Sequence, residues 1–167
     1  MARSDPPVQG RVFISYRRQD SSGLAGRLYD RLAARLGDGQ VFMDVDTIEL
    51  GVDFAEVITR AVSSCEALLA VIGPHWLTAT DQAGRRRLDD PDDIVRLEIE
   101  AALSRNVRVI PVLVGEARMP TQQDLPASLV PLARRQAARL SHERFHSDVE
   151  DLLATVERVS GRDVENA

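Results

Sequence analysis

No lysine occurs among the 167 residues, so all 21 basic side chains are arginines. Together with the abundant alanine, this reads as the coding bias of a GC-rich genome and carries no mechanism. The 26 acidic residues leave a formal charge of −5, and no basic stripe outweighs them, which argues against a nucleic-acid binder held by phosphate contacts. Cys65 is the only cysteine, so an intrachain disulfide is excluded. Its place at the end of an apolar helical stripe predicts a buried thiol.

Long apolar runs are missing too. Nothing approaches the roughly 18 consecutive apolar residues of a membrane span, and Met1-Ala-Arg-Ser-Asp-Pro-Pro7 lacks the apolar centre of a signal peptide, so a cytoplasmic, reducing location is expected. His75, His142 and His146 show no ligand spacing, and no metal is expected. The phosphate-cradling glycine loops G-x-x-x-x-G-K-[ST] and G-x-G-x-x-G are absent, as is a nucleophile elbow. Kinases, NTPases, dehydrogenases and triad hydrolases are thereby set aside.

What is present is enough for one domain: the chain is 44% apolar and long enough for one core but not two. Residues 1–10 read as a flexible lead, 11–159 as the domain, and 160–167 as a tail or a linker to a further domain. Within the domain, apolar runs at residues 11–16, 40–43, 67–72 and 107–114 predict strands, with a short edge strand at 138–140. The 67–72 run, closed by Gly73-Pro74, suits a parallel strand covered on both faces.

Helices are predicted between them. Leu24, Leu28, Leu32 and Leu36 mark the first, with Asp20-Ser21-Ser22 supplying capping oxygens and Gly37-Asp38-Gly39 the stop. Asp53 with Glu56 resembles a capping box ahead of the stripe Phe54, Val57, Ile58, Ala61, Val62 and Cys65. A third helix spans residues 94–103, and Phe145, Val149, Leu152, Leu153 and Val156 define the last. Residues 115–131 are punctuated by proline and resist assignment.

Strand–helix alternation of this kind implies an α/β fold, a five-stranded parallel sheet with helices on both faces and right-handed crossovers. In a flavodoxin-like order 2-1-3-4-5, ligands bind where the chain reverses, beyond the carboxyl ends of strands one and three. Those exits are Tyr16-Arg17 and Gly73-Pro74, and the helix after strand three brings Glu98 towards them. On that helix, at about 100° per residue, Val95, Ile99, Ala102 and Leu103 form the core stripe. Glu98 lies on its apolar edge, whereas Glu100 shares a flank with Arg96 and Ser104, as a solvated ion-paired face does.

Val12-Phe-Ile-Ser-Tyr-Arg-Arg18 is similar to the first-strand signature of TIR domains. Phe42-Met-Asp-Val-Asp-Thr-Ile-Glu-Leu-Gly51 resembles the segment entering their BB loop, and Val107-Arg-Val-Ile-Pro-Val-Leu113 their fourth strand. The resemblance runs from about residue 11 to 159 and is nearest to the group that cleaves NAD at the nicotinamide ribosyl bond, including bacterial defence proteins and the axonal NADase of animals. It implies Glu98 as the catalytic carboxylate, with Ile94 standing four residues earlier where that group has tryptophan. It further implies Tyr16, Arg17 and Arg18 as substrate-binding residues, the guanidinium groups suiting a pyrophosphate. An arginine could instead pair with Asp20 or Asp44. Asp44 and Glu49 fall at positions that contribute to the site or its mobile loop, or else are loop caps or solvated acids. Thr47 replaces a basic residue of the axonal relative.

The implied activity is an NAD nucleosidase acting in bacterial immune or cell-death signalling, switched on by homotypic assembly with other TIR domains. NAD is its substrate and no cofactor is needed. The product is ADP-ribose or a cyclic isomer. A non-catalytic scaffold associating through residues 44–54 is the alternative, and a nucleoside deoxyribosyltransferase-like enzyme is a third reading whose motifs are not evident. Trp76 reads as a pocket wall or a core plug. Arg85-Arg-Arg-Leu-Asp-Asp-Pro-Asp-Asp93 reads as a solvated loop whose acids favour the next helix N-terminus, or as a surface for head-to-tail stacking.

Overall fold

The computed structural model describes residues 11–43 and 50–159. The lead, the tail, Asp44, Thr47 and Glu49 fall outside the described residues. Five parallel strands form one sheet in the order β2-β1-β3-β4-β5, as the alternation predicts. They are β1 (Val12–Ser15), β2 (Val41–Phe42), β3 (Ala67–Ile72), β4 (Arg108–Val114) and β5 (Ala138–Leu140). Every residue of β1 and β3 is buried, which explains their continuous apolar runs.

The pleat divides these runs between two cores. Phe13, Leu68, Ala70 and Ile72 pack with α2 (Phe54–Ser63) and α3 (Ile94–Ser104), whereas Val12, Ile14, Leu69 and Val71 pack with α1 (Arg18–Leu36) and α4 (Phe145–Val159). Trp76 is 1% exposed and belongs to the first core. Cys65 is buried, as its stripe predicts. The proline-rich connection after β4 resolves into two 3-10 pieces, Gln122–Asp124 and Ala127–Arg134.

Pro111 sits inside a strand at a place that tolerates it. The Arg108 amide bonds Glu66 on the β3 side and the Gly115 amide bonds Leu140 on the β5 side, so odd-numbered residues of β4 face β5. Because β5 pairs only with Val112–Val114, the missing N–H of Pro111 faces an uncovered stretch of edge.

Two capping expectations need correction. The first helix begins at Arg18, breaks at Ser21 (φ −145, ψ 26), and has no side-chain cap at Arg17. Asp20 does not cap it. Its carboxylate accepts the backbone N–H groups of Gly73 (2.8 Å) and His75 (2.7 Å), tying the first turn of α1 to the loop after β3. At α2, Asp53 caps through the Ala55 amide, but Glu56 makes no return bond, so the motif is half a capping box.

Candidate functional site

The alternation that turns Phe13 towards α3 also turns Ser15, two residues on, to the same side. There its hydroxyl donates to Glu98 Oε1 at 3.0 Å, joining the end of β1 to the middle of α3. Glu98 is 5% exposed and Ser15 1%. The helical-wheel edge thus becomes an interior position at the wall of a cleft. Glu100, by contrast, pairs with Arg96 at 2.7 Å and accepts from Ser128, the ion-paired flank that its spacing implies.

The amino end of α3 is fixed by Asp93. Its carboxylate accepts the Arg96 amide as an N-cap and also takes both terminal nitrogens of Arg17, at 3.0 and 2.9 Å. Arg17 is itself 5% exposed. Of the two sequence-predicted arginines, then, one is turned into a buried fork with Asp93, a partner other than Asp20 or Asp44, while Arg18 is exposed.

These groups open on a cleft of about 550 Å³ at the carboxyl edge of the sheet, lined by the exits of β1 (Tyr16–Gln19) and β2 (Met43) and by the loop and helix that follow β3. The Gly73-Pro74 exit of β3, which the strand order predicts as the other edge of the site, is not in the lining of this cleft. Tyr16, Arg17, Arg18 and Glu98 all line it, so four of the six sequence-predicted site residues are brought together. Asp44 and Glu49 lie outside the described residues. Met43, Ile58 and Ile94 supply apolar wall, and Ile94 stands 53% exposed at the first turn of α3. The described lining carries the carboxylates Asp81, Asp90, Asp92, Asp93 and Glu98 against the guanidinium groups of Arg17, Arg18 and Arg87. A larger depression of about 1010 Å³ lies at the amino ends of β4 and β5 and contains none of the predicted site residues.

The arginine-and-acid loop before α3 is largely satisfied within itself. Arg85 pairs with Asp81 and Arg86 with Asp89, and Arg86 also bonds the Asp124 carbonyl. Backbone N–H groups of Arg85 and Ala83 hold the Asp81 carboxyl below its ordinary range, the Arg85 bond contributing most. Arg86 does the same to Asp89. Leu88 anchors this loop in the core.

Sequence reasoning passed over Ser15 and did not single out Asp93. The signal for Ser15 was its parity with Phe13 along β1. For Asp93 it was an acid immediately before the apolar run of α3. Among the described residues no cluster of histidine, cysteine and carboxylate groups could hold a metal, and no helix is long and apolar enough to cross a membrane.

The sequence pattern of the family described as TIR domain matches residues 12–153. A curated relative, NAD(+) hydrolase sarm1 of Drosophila melanogaster, is 29% identical over 134 residues, covering 79% of this chain. The chain spans only 9% of that relative's length. Among solved structures, the TIR domains of the activated Roq1 resistosome superpose with a TM-score of 0.57 at 14% identity, over 89% of this chain and 97% of theirs. A metazoan TIR-STING receptor from C. gigas superposes with a TM-score of 0.52 at 18% identity, over 91% of this chain and 41% of that one. The two superpositions bear on the fold alone.

Proposed function

The chain belongs to the TIR domain family, and we propose that it is an NAD nucleosidase in which the Glu98 carboxylate drives cleavage of the nicotinamide–ribose bond. The observation that carries this reading is the placement of Glu98. A carboxylate 5% exposed, on the wall of a cleft at the carboxyl edge of the sheet that Tyr16 and Arg18 also line, suits a ligand that develops positive charge. The similarity to an NAD(+) hydrolase supports the choice of ligand.

The chemistry needs one acid. Breaking the bond expels nicotinamide as a neutral base and leaves positive charge on the ribose. A fixed carboxylate beside that ring stabilises the oxocarbenium-like transition state, as in glycoside hydrolysis. Water attack then gives ADP-ribose, and attack by another group of the same molecule gives a cyclic isomer. The acid-rich lining suits the cationic nicotinamide end of the substrate. Arg18, exposed and lining the same cleft, would be the group to meet the pyrophosphate.

Activation by self-assembly belongs to the same proposal, with a role in bacterial immune or cell-death signalling. Leu50, Val52 and Phe54 are exposed apolar residues at and just beyond the end of the segment that resembles the entry to the BB loop, a surface that a second TIR domain would cover.

The test is nicotinamide release from NAD by concentrated protein, with and without a crowding agent, beside a folded Glu98→Ala variant. Release by the wild type and its loss in the variant is the expected result. No release from either would leave the scaffold reading, homotypic TIR–TIR association without catalysis.

A further inference from the structure

We propose that Ser15 is a positioning residue for Glu98, its hydroxyl fixing the carboxylate that the NADase reading places at the ribose. The inference deepens that reading and rests on it. Three apolar residues, Val12, Phe13 and Ile14, precede Ser15 in β1, and all four are buried. A fourth apolar side chain would extend the core, and a β-branched one would suit the strand better. A hydroxyl costs free energy at such a position unless it is bonded. The bond it makes is to Glu98 Oε1, 83 positions away.

The two ends of that bond differ in freedom. Ser15 has a single side-chain torsion and sits in a strand paired to Ala70 of β3, so its oxygen is fixed by the sheet. Glu98 has three torsions and stands on a helix whose start is held by the Arg17–Asp93 fork. Backbone anchoring sets where Glu98 emerges, and the Ser15 bond to Oε1 restrains how its carboxylate is turned. A carboxylate that stabilises charge only in the transition state is sensitive to that orientation, so the loss should appear in kcat rather than in KM.

Three variants separate hydrogen bonding from packing: Ser15→Ala removes the donor, Ser15→Cys keeps near-native shape with a much weaker donor, and Ser15→Thr keeps the hydroxyl. Nicotinamide release would be followed over a range of NAD concentrations, with thermal melts of each protein and Glu98→Ala alongside. The expected result is a fall in kcat of about tenfold or more for Ala and Cys, with KM within about twofold and Thr recovering most of the rate. Wild-type kcat in Ser15→Ala or Ser15→Cys, while Glu98→Ala is inactive, overturns the positioning role and leaves the NADase reading intact. So does a rate loss that follows melting temperature across all three variants. A wild-type protein that releases no nicotinamide overturns the NADase reading and the positioning role with it.

Discussion

Arg17 and Asp93, 76 positions apart, close a two-bond fork with both side chains buried, 5% and 6% exposed. One end is the exit of β1 and the other is the N-cap of α3, so the fork determines where the helix carrying Glu98 begins. Removing one partner leaves a buried charge without its counterpart, which costs about 3–5 kcal/mol. Arg17→Ala should therefore shift the urea midpoint strongly, and Arg17→Lys should restore only part of the loss because an ammonium cannot make the fork. Arg18→Ala, at an exposed position, should stay within about 0.5 kcal/mol of wild type while raising KM for NAD. Equal effects of the two alanine variants on stability would contradict this division of labour.

Asp20 and Gly73 make a second tie at the same edge of the sheet. A Cβ on Gly73 would lie 2.6 Å from Asp20 Cγ, where the carboxylate receives the Gly73 and His75 amides. Gly73→Ala must displace that carboxylate, and Asp20→Ala leaves the same two amides without it. Each should destabilise by about 1–3 kcal/mol, and the double variant should cost much less than the sum because both remove one interaction. Additive losses in denaturation midpoints would show that the two residues act separately.

Much of this architecture was legible in the sequence because the signals are local. The bounds of β3 follow from an apolar run closed by Gly73-Pro74, and α3 from its stripe. The strand order then placed Glu98 near the exit of β1. Less legible were choices among partners of equal chemistry. Nothing in the spacing of Asp20, Ser21 and Ser22 says that the carboxylate will reach across to Gly73 instead of capping its own helix. Nor does Arg17 announce that it will take Asp93, since the pairing exists only once β1 and α3 lie side by side. Ser15 looked like one polar residue at a strand end until the pleat set it opposite Glu98.

Cys65 offers a probe of the core that is independent of the site. Burial lifts its thiol from 9.0 to about 11, and its Sγ contacts the Ala61 carbonyl. It should resist alkylation at pH 8 in the native protein and react on unfolding. A folded-state value above the unfolded one means that the unfolded chain releases the proton more readily as pH rises. The associated stability is therefore whole below pH 9.0 and lost as pH climbs towards about 11. Denaturant melts of wild type and Cys65→Ala over that window should converge, and a gap independent of pH would refute the assignment.

Ile94 and Glu98 lie one turn apart on α3 yet should fail in different ways. Ile94 is 53% exposed on the rim of the cleft, whereas Glu98 is 5% exposed on its wall. A ligand lying over Ile94 covers apolar surface equally in the ground and transition states, which is uniform binding and appears in KM. Covering about half of an isoleucine is worth about 1 kcal/mol, so Ile94→Ala should raise KM for NAD about fivefold with kcat little changed. Glu98→Gln keeps shape and removes charge, so it should lower kcat by about 100-fold or more with KM nearly constant. Ile94→Trp adds an aromatic face against which a nicotinamide or adenine ring can stack, and KM should fall below the wild-type value. If Ile94→Ala instead lowers kcat as Glu98→Gln does, the residue supports the helix rather than the ligand, and the substrate does not pass over the first turn of α3.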